Sequence, residues 1–131
     1  MAVADDLVAQ AIFRLAHVPG IMMDPDALAE DAALLAASFP DEAEFLKATL
    51  ATERAMADVA AGRVNSAAPL VGDHAGWKSY HYQHRVAQGQ RADMRLEWKR
   101  GEDEVLVRAF GHRFVPADFY RRVAASRKND G

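Results

Sequence analysis

The sequence contains no cysteine. This absence excludes disulfide bonds, thiolate metal sites and a cysteine nucleophile, and it agrees with a reducing compartment. The chain also lacks any run of about 18 apolar residues, the length needed to span a bilayer. The first residues, MAVADDLVAQ, carry acids where a secretory signal would carry Lys or Arg. We therefore expect a cytoplasmic protein without a membrane partner, in which any catalysis uses His, Lys, Arg, Tyr or carboxylates.

Sequence motifs for nucleotide and metal chemistry are also missing. The chain has no G-x-x-x-x-G-K-S/T, no G-x-G-x-x-G after a strand, no G-x-S-x-G and no H-E-x-x-H. His81 and His84 have a spacing seen in metal ligands, but no third histidine or carboxylate lies at a matching spacing. We therefore predict neither a metal nor a small-molecule cofactor.

The charged residues divide the chain into two halves of opposite sign. Residues 1–62 contain 11 Asp or Glu against only Arg14, Lys47 and Arg54, a net charge of −8. Residues 63–131 contain 13 Lys or Arg against 8 acids, a net charge of +5, together with four of the five histidines. Such asymmetry is typical of proteins that bind a polyanion through one half, although uneven charge also arises by chance. The basic half therefore predicts a surface for RNA or another polyanion.

The N-terminal half has the apolar spacing of helices. The length of 131 residues suits one domain, which we divide into an N-terminal helical extension over 1–20, a short strand with a helical pair over 21–62, and an antiparallel sheet with a C-terminal helix over 70–122. Acidic or Asp-Pro starts and Pro or Gly stops bound each helical pattern. The predicted helices begin at Asp5-Asp6, Asp24-Pro25 and Asp41, and they end near Pro19-Gly20, Ser38 and Gly62.

The C-terminal half has the alternation and aromatic content of strands. After a loop over 63–70, the segments KSYHYQ, DMRLEWK and EVLVRAF are short and separated by turn residues. The short interval RGEDE requires an antiparallel hairpin. We predict an α+β fold in which helices pack on one face of a small antiparallel sheet, followed by a short helix that begins at Pro116 and a frayed, charged tail.

Four residues of the C-terminal half are candidates for catalysis. In DMRLEWK, Met94, Leu96 and Trp98 alternate with charged residues, which places Arg95 on the face opposite the core, where it either holds a phosphate or is a solvated surface residue. Gly111 follows the last strand and puts an imidazole and a guanidinium side by side, in His112 and Arg113. Tyr120 follows on the last helix, where it is either part of this site or a boundary aromatic residue.

A run of aromatic and basic residues begins the predicted sheet. Aromatic rings between cations suit base stacking and phosphate contact, and they also suit a half-buried strand with polar outer positions. We predict that these cations bind RNA. The candidate RNA-binding residues are Lys78, His81, His84, Arg85 and Arg91.

The segments LVGDHAGWKSY, ADMRLEWK and EVLVRAFGHRFVPADFY occur in this order. Together they resemble the C-terminal half of the RelE/ParE superfamily, the toxins of bacterial type II toxin–antitoxin systems. The family has a leucine-glycine turn, an R-hydrophobic-x-aromatic strand, a hydrophobic strand ending in G-H-R or G-K-R, and a closing Tyr. The matching positions are Leu70 and Gly72, Arg95 to Trp98, Gly111 to Arg113, and Tyr120.

The resemblance to the RelE-like branch implies a function and a role for each matching residue. It implies metal-independent cleavage of mRNA in the ribosomal A site. Arg95 and Arg113 would hold the scissile phosphate and stabilise its developing charge, and Tyr120 or His112 would transfer protons. Lys78 would either lower the pKa of a neighbouring tyrosine or bind the RNA backbone.

The resemblance also implies partners. A cognate antitoxin would wrap the sheet or displace the last helix, and mRNA on the ribosome would be the substrate. The ParE branch offers an alternative, inhibition of DNA gyrase by binding, and an interaction module without either activity is another. Because this chain has an additional acidic N-terminal segment, we hypothesise that its first helix covers part of the basic sheet.

Overall fold

Three helices form the N-terminal half of the fold, as predicted. The computed structural model describes residues 2–64 and 68–127. The side chains of Asp24 and Asp41 accept hydrogen bonds from the backbone N–H groups of Ala27 and Glu44, both at 3.0 Å, and so cap the second and third helices. The helices are α1 (Asp5–Ala16), α2 (Pro25–Ser38) and α3 (Glu42–Ala60).

A mostly antiparallel sheet of five strands confirms the predicted α+β class. Its strand order is β1-β5-β4-β3-β2, with β1 parallel to β5 and the other neighbours antiparallel. The two-residue strand β2 lies in the segment that the sequence analysis assigned to a loop. The strands are β1 (Ile21–Met23), β2 (Ala68–Pro69), β3 (Lys78–Tyr82), β4 (Met94–Arg100) and β5 (Val105–His112).

The main core lies between the three helices and one face of the sheet, which we call the inner face. Met94, Leu96 and Trp98 of β4 are buried there, as their alternation predicted. Leu15, Leu35 and Met56, one from each helix, belong to the same apolar cluster. Burial of this surface is the main source of stability for the fold.

A short helix and a turn cover part of the opposite face, which we call the outer face. This helix, α4, spans Phe119–Ser126, and its N-cap is Asp118, whose side chain accepts from the N–H of Arg121 at 3.0 Å. The prediction that the helix begins at Pro116 is therefore wrong, because the capping carboxylate comes later. Phe119 and Val123 of α4 pack on Ala109 of β5 as a second small core. A 3-10 helix over Gly72–His74 lies beside α4. The predicted charged tail over 128–131 lies outside the described residues.

The position of α1 contradicts the hypothesis that it masks the basic sheet. α1 packs against α2, α3 and β1, with Ala11 and Leu15 buried in the main core. This places α1 in the helical layer beside the inner face, because its apolar stripe matches the other helices rather than a polar sheet surface. The outer face is covered by α4 instead.

A buried carboxylate joins α4 to the helical layer. Asp31 of α2 is fully buried, and its Oδ1 accepts from Arg122 and Arg127, both at 2.7 Å. Its Oδ2 accepts from the backbone N–H of Phe110 in β5 at 3.0 Å. Burial raises the pKa of Asp31, and the two guanidinium groups and the N–H oppose that rise. One side chain thus connects α2, β5 and α4.

Candidate catalytic site on the outer face

The pairing of β3 with β4 brings two predicted residues together on the outer face. His81 lies directly opposite Arg95, and Ser79 lies opposite Glu97. Directly opposite residues of antiparallel strands project to the same face, so all four side chains are on the side away from the main core. The site is therefore built on the central strands of the sheet.

Tyr120 reaches this surface from α4. Its hydroxyl lies 2.6 Å from the Ser79 hydroxyl and 3.5 Å from His81 Nε2. Ser79 is buried and His81 is exposed, so the phenol connects a buried hydroxyl to an imidazole in contact with solvent. A continuous path for proton exchange runs through these three groups.

Arg113 completes the group of predicted residues on this face. Its guanidinium carbon lies 4.8 Å from the centre of the Tyr120 ring, a cation–π contact. Arg113 is also paired with Asp118, the N-cap of α4, and the hydrogen bond from Arg113 is the main cause that lowers the pKa of Asp118. Arg113 therefore fixes the start of the helix that carries Tyr120. We call His81, Arg95, Arg113 and Tyr120 the outer-face cluster.

Arg95 differs from Arg113 in its partners. Its Nη1 donates to the carbonyl oxygens of Ala92 and Met94, at 2.9 and 3.0 Å. Its Nε is buried without a hydrogen-bond partner. Over residues 2–64 and 68–127 no carboxylate forms an ion pair with Arg95, so no acid of this part of the chain neutralises its charge. A half-buried cation in this state favours an anionic ligand.

The histidine of the cluster is tuned toward its neutral form. Burial lowers the pKa of His81 below 6.5, and the positive charges of Arg95 and Arg113 lower it further. His81 is therefore neutral at pH 7 and able to accept a proton. This state is what a general base needs.

A buried polar network supports Tyr120 from the other side. Glu97 is fully buried and accepts from Arg108 at 2.8 Å, while His74 Nδ1 lies 3.0 Å from both Glu97 oxygens. The β4–β5 register shifts beside Arg108: Glu97 lies opposite Ala109 and Trp98 lies opposite Val107, so Arg108 is the additional residue of β5 at this irregularity. The His74 ring packs edge-on against the Tyr120 ring, with centroids 5.6 Å apart. This network limits the directions in which Tyr120 can turn.

His112, a predicted proton carrier, lies on the inner face instead. It is opposite Met94 in the sheet, and its ring contacts Phe39 at a centroid distance of 5.8 Å. Its Nδ1 accepts from the backbone N–H groups of Phe114 and Val115, both at 3.0 Å. The histidine shapes the turn after β5, and the structure does not bring it to the cluster.

The remaining predicted RNA-binding residues also lie apart from the cluster. Lys78 is on the inner side, with its ammonium 5.3 Å from the Trp98 ring centre. His84 pairs with Asp93, and Arg85 pairs with Glu44 at 3.0 Å. Arg91 is exposed in the segment before β4. Of the candidate RNA-binding residues, only His81 is in the cluster.

The sequence analysis did not single out Ser79 or His74. The alternation of β3 contained the signal for Ser79, since it shares a face with His81 two positions later. His74 lies in a turn, where no periodic pattern indicates which way its side chain projects. Its partner Glu97 comes from β4, and only the folded chain brings the two together.

Gly111 is closely approached by a side chain of α4. A Cβ atom added at this position would lie 2.6 Å from Arg122 Nη2. That nitrogen donates to the carbonyl oxygen of Phe110 at 2.9 Å, next to the Asp31 network. A side chain at Gly111 would displace this guanidinium from its place beside Phe110.

Neither membrane nor metal features are found in the parts of the chain that the structure describes. No helix there is long and apolar enough to cross a membrane. No group of three or more His, Asp or Glu side chains within residues 2–64 and 68–127 is arranged to hold a metal ion.

No family model matches the chain, and no curated protein or solved structure is significantly similar to it.

Proposed function

We propose that the outer-face cluster cleaves single-stranded RNA without a metal, and that the protein is a ribosome-linked mRNA endoribonuclease of the RelE-like kind. The observation that carries this proposal is the position of Arg95, which has no carboxylate partner among the described residues. Arg95 lies opposite His81, a histidine of lowered pKa whose Nε2 is 3.5 Å from the Tyr120 hydroxyl. RNA cleavage requires a site for a phosphate, a base and an acid. In the cluster, Arg95 would bind the phosphate, His81 would be the base and Tyr120 would be the acid.

In the proposed reaction, Arg95 binds the scissile phosphate, with Arg113 beside it. His81 Nε2 removes the proton from the ribose 2′-hydroxyl, whose oxygen forms a bond to phosphorus. The bond from phosphorus to the 5′ oxygen breaks, and that oxygen takes the hydroxyl proton of Tyr120. The products are a 2′,3′-cyclic phosphate and a 5′-hydroxyl end. The proton on His81 then returns to Tyr120 across their 3.5 Å separation, which restores both groups.

The proposed biological role follows the family resemblance. An RNA-cleaving toxin would act on translated mRNA and would be neutralised by a cognate antitoxin. The basic C-terminal half is consistent with a polyanionic substrate.

Growth arrest with newly created mRNA ends is the expected result of induced expression in bacteria. Changing Tyr120→Phe removes the transferable proton and the bond to Ser79, so we expect cleavage to fall by about 100- to 10,000-fold and arrest to be relieved. Sequencing of 5′-hydroxyl RNA ends, with purified protein tested on RNA with and without ribosomes, measures both effects.

His17→Gln is the matched control, because His17 lies at the end of α1, outside the cluster. Arrest without new RNA ends would contradict the nuclease and favour a gyrase-type inhibitor. Absence of arrest and of cleavage would favour an interaction module.

The pH dependence of cleavage should report His81. Because the pKa of His81 is lowered, kcat/KM should be at its plateau at pH 7 and should fall only as pH drops through that lowered pKa. In an Arg95→Ala protein, loss of the nearby cation should move the titration of His81 to higher pH. NMR titration of the imidazole signals measures this shift without requiring activity. An unchanged His81 titration would contradict the coupling, and Arg63→Ala serves as the control cation.

A further inference from the structure

A second feature of the basic surface lies on the other side of β3. A cleft of about 610 Å³ separates α3 from the segment over 83–92 that follows β3. Its volume lies within the range of roughly 300–1,000 Å³ that is common for ligand sites. Its walls include Lys47, Leu50, Arg54, Tyr80, Arg85 and Val86.

The wall of this cleft that α3 forms carries positive charge, although residues 1–62 are acidic overall. Residues 1–62 contain only three Lys or Arg, and two of them, Lys47 and Arg54, line the cleft. They are two helical turns apart on α3 and so share one side of the helix. The one acid in the lining, Asp58, is already paired with Arg63 at 2.8 Å. The cleft is therefore cationic within an acidic half.

Arg54 is the cation most available to a ligand. Lys47 and Arg85 both pair with Glu44, at 3.7 and 3.0 Å. Arg54 is exposed and forms no ion pair or side-chain hydrogen bond with any residue in the described ranges. An anion entering the cleft would meet this guanidinium without first breaking an internal pair.

Aromatic and apolar side chains line the cleft together with these cations. Tyr80 is half-buried, and its ring lies nearly parallel to that of Tyr82, with an interplanar angle of 18° and centroids 5.9 Å apart. Tyr82 is itself fixed by a 2.8 Å hydrogen bond to Thr52. Tyr80 packs against Tyr82 and the main core, and exposed Leu50 and Val86 line the same cleft. Cations beside an aromatic ring suit the phosphates and bases of single-stranded RNA.

The cleft and the outer-face cluster share a residue. His81 lines the cleft and also lies opposite Arg95, next to Tyr120. An RNA strand whose phosphate is bound at Arg95 would have to pass His81 to enter the cleft.

We propose that this cleft binds the nucleotides adjacent to the cleavage position, with a base against Tyr80 and a phosphate at Arg54. This inference rests on the proposed function. The cleft would thus bind the part of a single-stranded RNA that lies beside the reacting phosphate.

Affinity as a function of RNA length tests the inference. The probes are a 2′-O-methyl dinucleotide and a 2′-O-methyl decanucleotide, which cannot be cleaved, and fluorescence anisotropy measures their binding. We expect Arg54→Ala to weaken decanucleotide binding. The slope of log affinity against log salt concentration should become shallower by about one unit, which corresponds to the loss of one phosphate contact. Tyr80→Leu should weaken decanucleotide binding by roughly 5- to 150-fold. Dinucleotide binding should not change in either protein.

Two matched controls accompany these variants. Arg14→Ala removes the third cation of the acidic half, which pairs with Glu53 away from the cleft, and it should leave decanucleotide binding unchanged. Tyr80→Phe keeps the ring and should also bind normally, while thermal unfolding verifies that each variant is folded.

The outcomes separate the two proposals. If wild-type protein binds both probes through Arg95, and Arg54→Ala changes neither, the cleft is excluded as an RNA site and the proposed catalytic site stands. If wild-type protein binds neither probe, the cleft is excluded as an RNA site, whereas the proposed cleavage of mRNA on the ribosome is overturned only by the absence of new mRNA ends.

Discussion

Replacing Arg95 with Ala should lower kcat/KM for RNA cleavage by about 100- to 1,000-fold, the cost typical of losing one preplaced group that stabilises transition-state charge. The effect is expected to be large because Arg95 has no carboxylate partner in the described residues, so its full charge would act on the phosphate of the proposed substrate. Arg113 cannot substitute for it, since its guanidinium is already paired with Asp118. Single-turnover cleavage of ribosome-bound mRNA measures the change.

Two further variants make this prediction specific. Arg95→Lys keeps the charge but not the two hydrogen bonds to the carbonyls of Ala92 and Met94, so we expect partial activity. Arg63→Ala removes a surface arginine that pairs with Asp58 and should have no effect. If Arg95→Ala remained fully active and folded, Arg95 would have no part in the reaction.

The largest effect on stability is expected at Asp31. Changing Asp31→Ala leaves Arg122 and Arg127 without their shared carboxylate and the Phe110 N–H without an acceptor. Breaking a buried ion pair in this way costs about 3–5 kcal/mol of the free energy of unfolding. Urea denaturation followed by circular dichroism measures the loss as a change in the unfolding midpoint.

The neighbouring acid provides the control. Glu30 also pairs with Arg127, at 2.9 Å, but its side chain is 46% exposed whereas that of Asp31 is 0% exposed. Glu30→Ala should therefore cost less than about 1 kcal/mol, as exposed ion pairs usually do. Equal losses for the two changes would show that burial does not determine the strength of this network.

The fold could largely be predicted because its signals are local. The second and third helices begin where Asp24 and Asp41 accept hydrogen bonds from backbone N–H groups three residues later in the chain. The residues of β4 on the inner face could be identified because apolar and charged residues alternate along this strand. The start of α4 was predicted wrongly because Pro116 and Asp118 both suit a helix start, and the sequence does not show which one the last turn of the chain uses.

The site could be predicted only in part. His81 and Lys78 were grouped because they are close in sequence, yet a strand sends residues three apart to opposite faces. The same geometry separates His112 from Gly111 and Arg113. The contact of Tyr120 with Ser79 depends on how α4 packs across the sheet, and no local pattern encodes that placement.

The pairing of β1 with β5 has a consequence for synthesis of the chain. Ile21 to Met23 pair with Val105 to Val107, the most distant partners in the sheet. Ribosomes make β1 first, but its hydrogen-bonding partner exists only after β5 has emerged, and long-range pairing of this kind delays folding. Arg113 and Tyr120 are made later still. A growing chain therefore carries no assembled cluster, and the protein is expected to become active only after its own translation has passed α4.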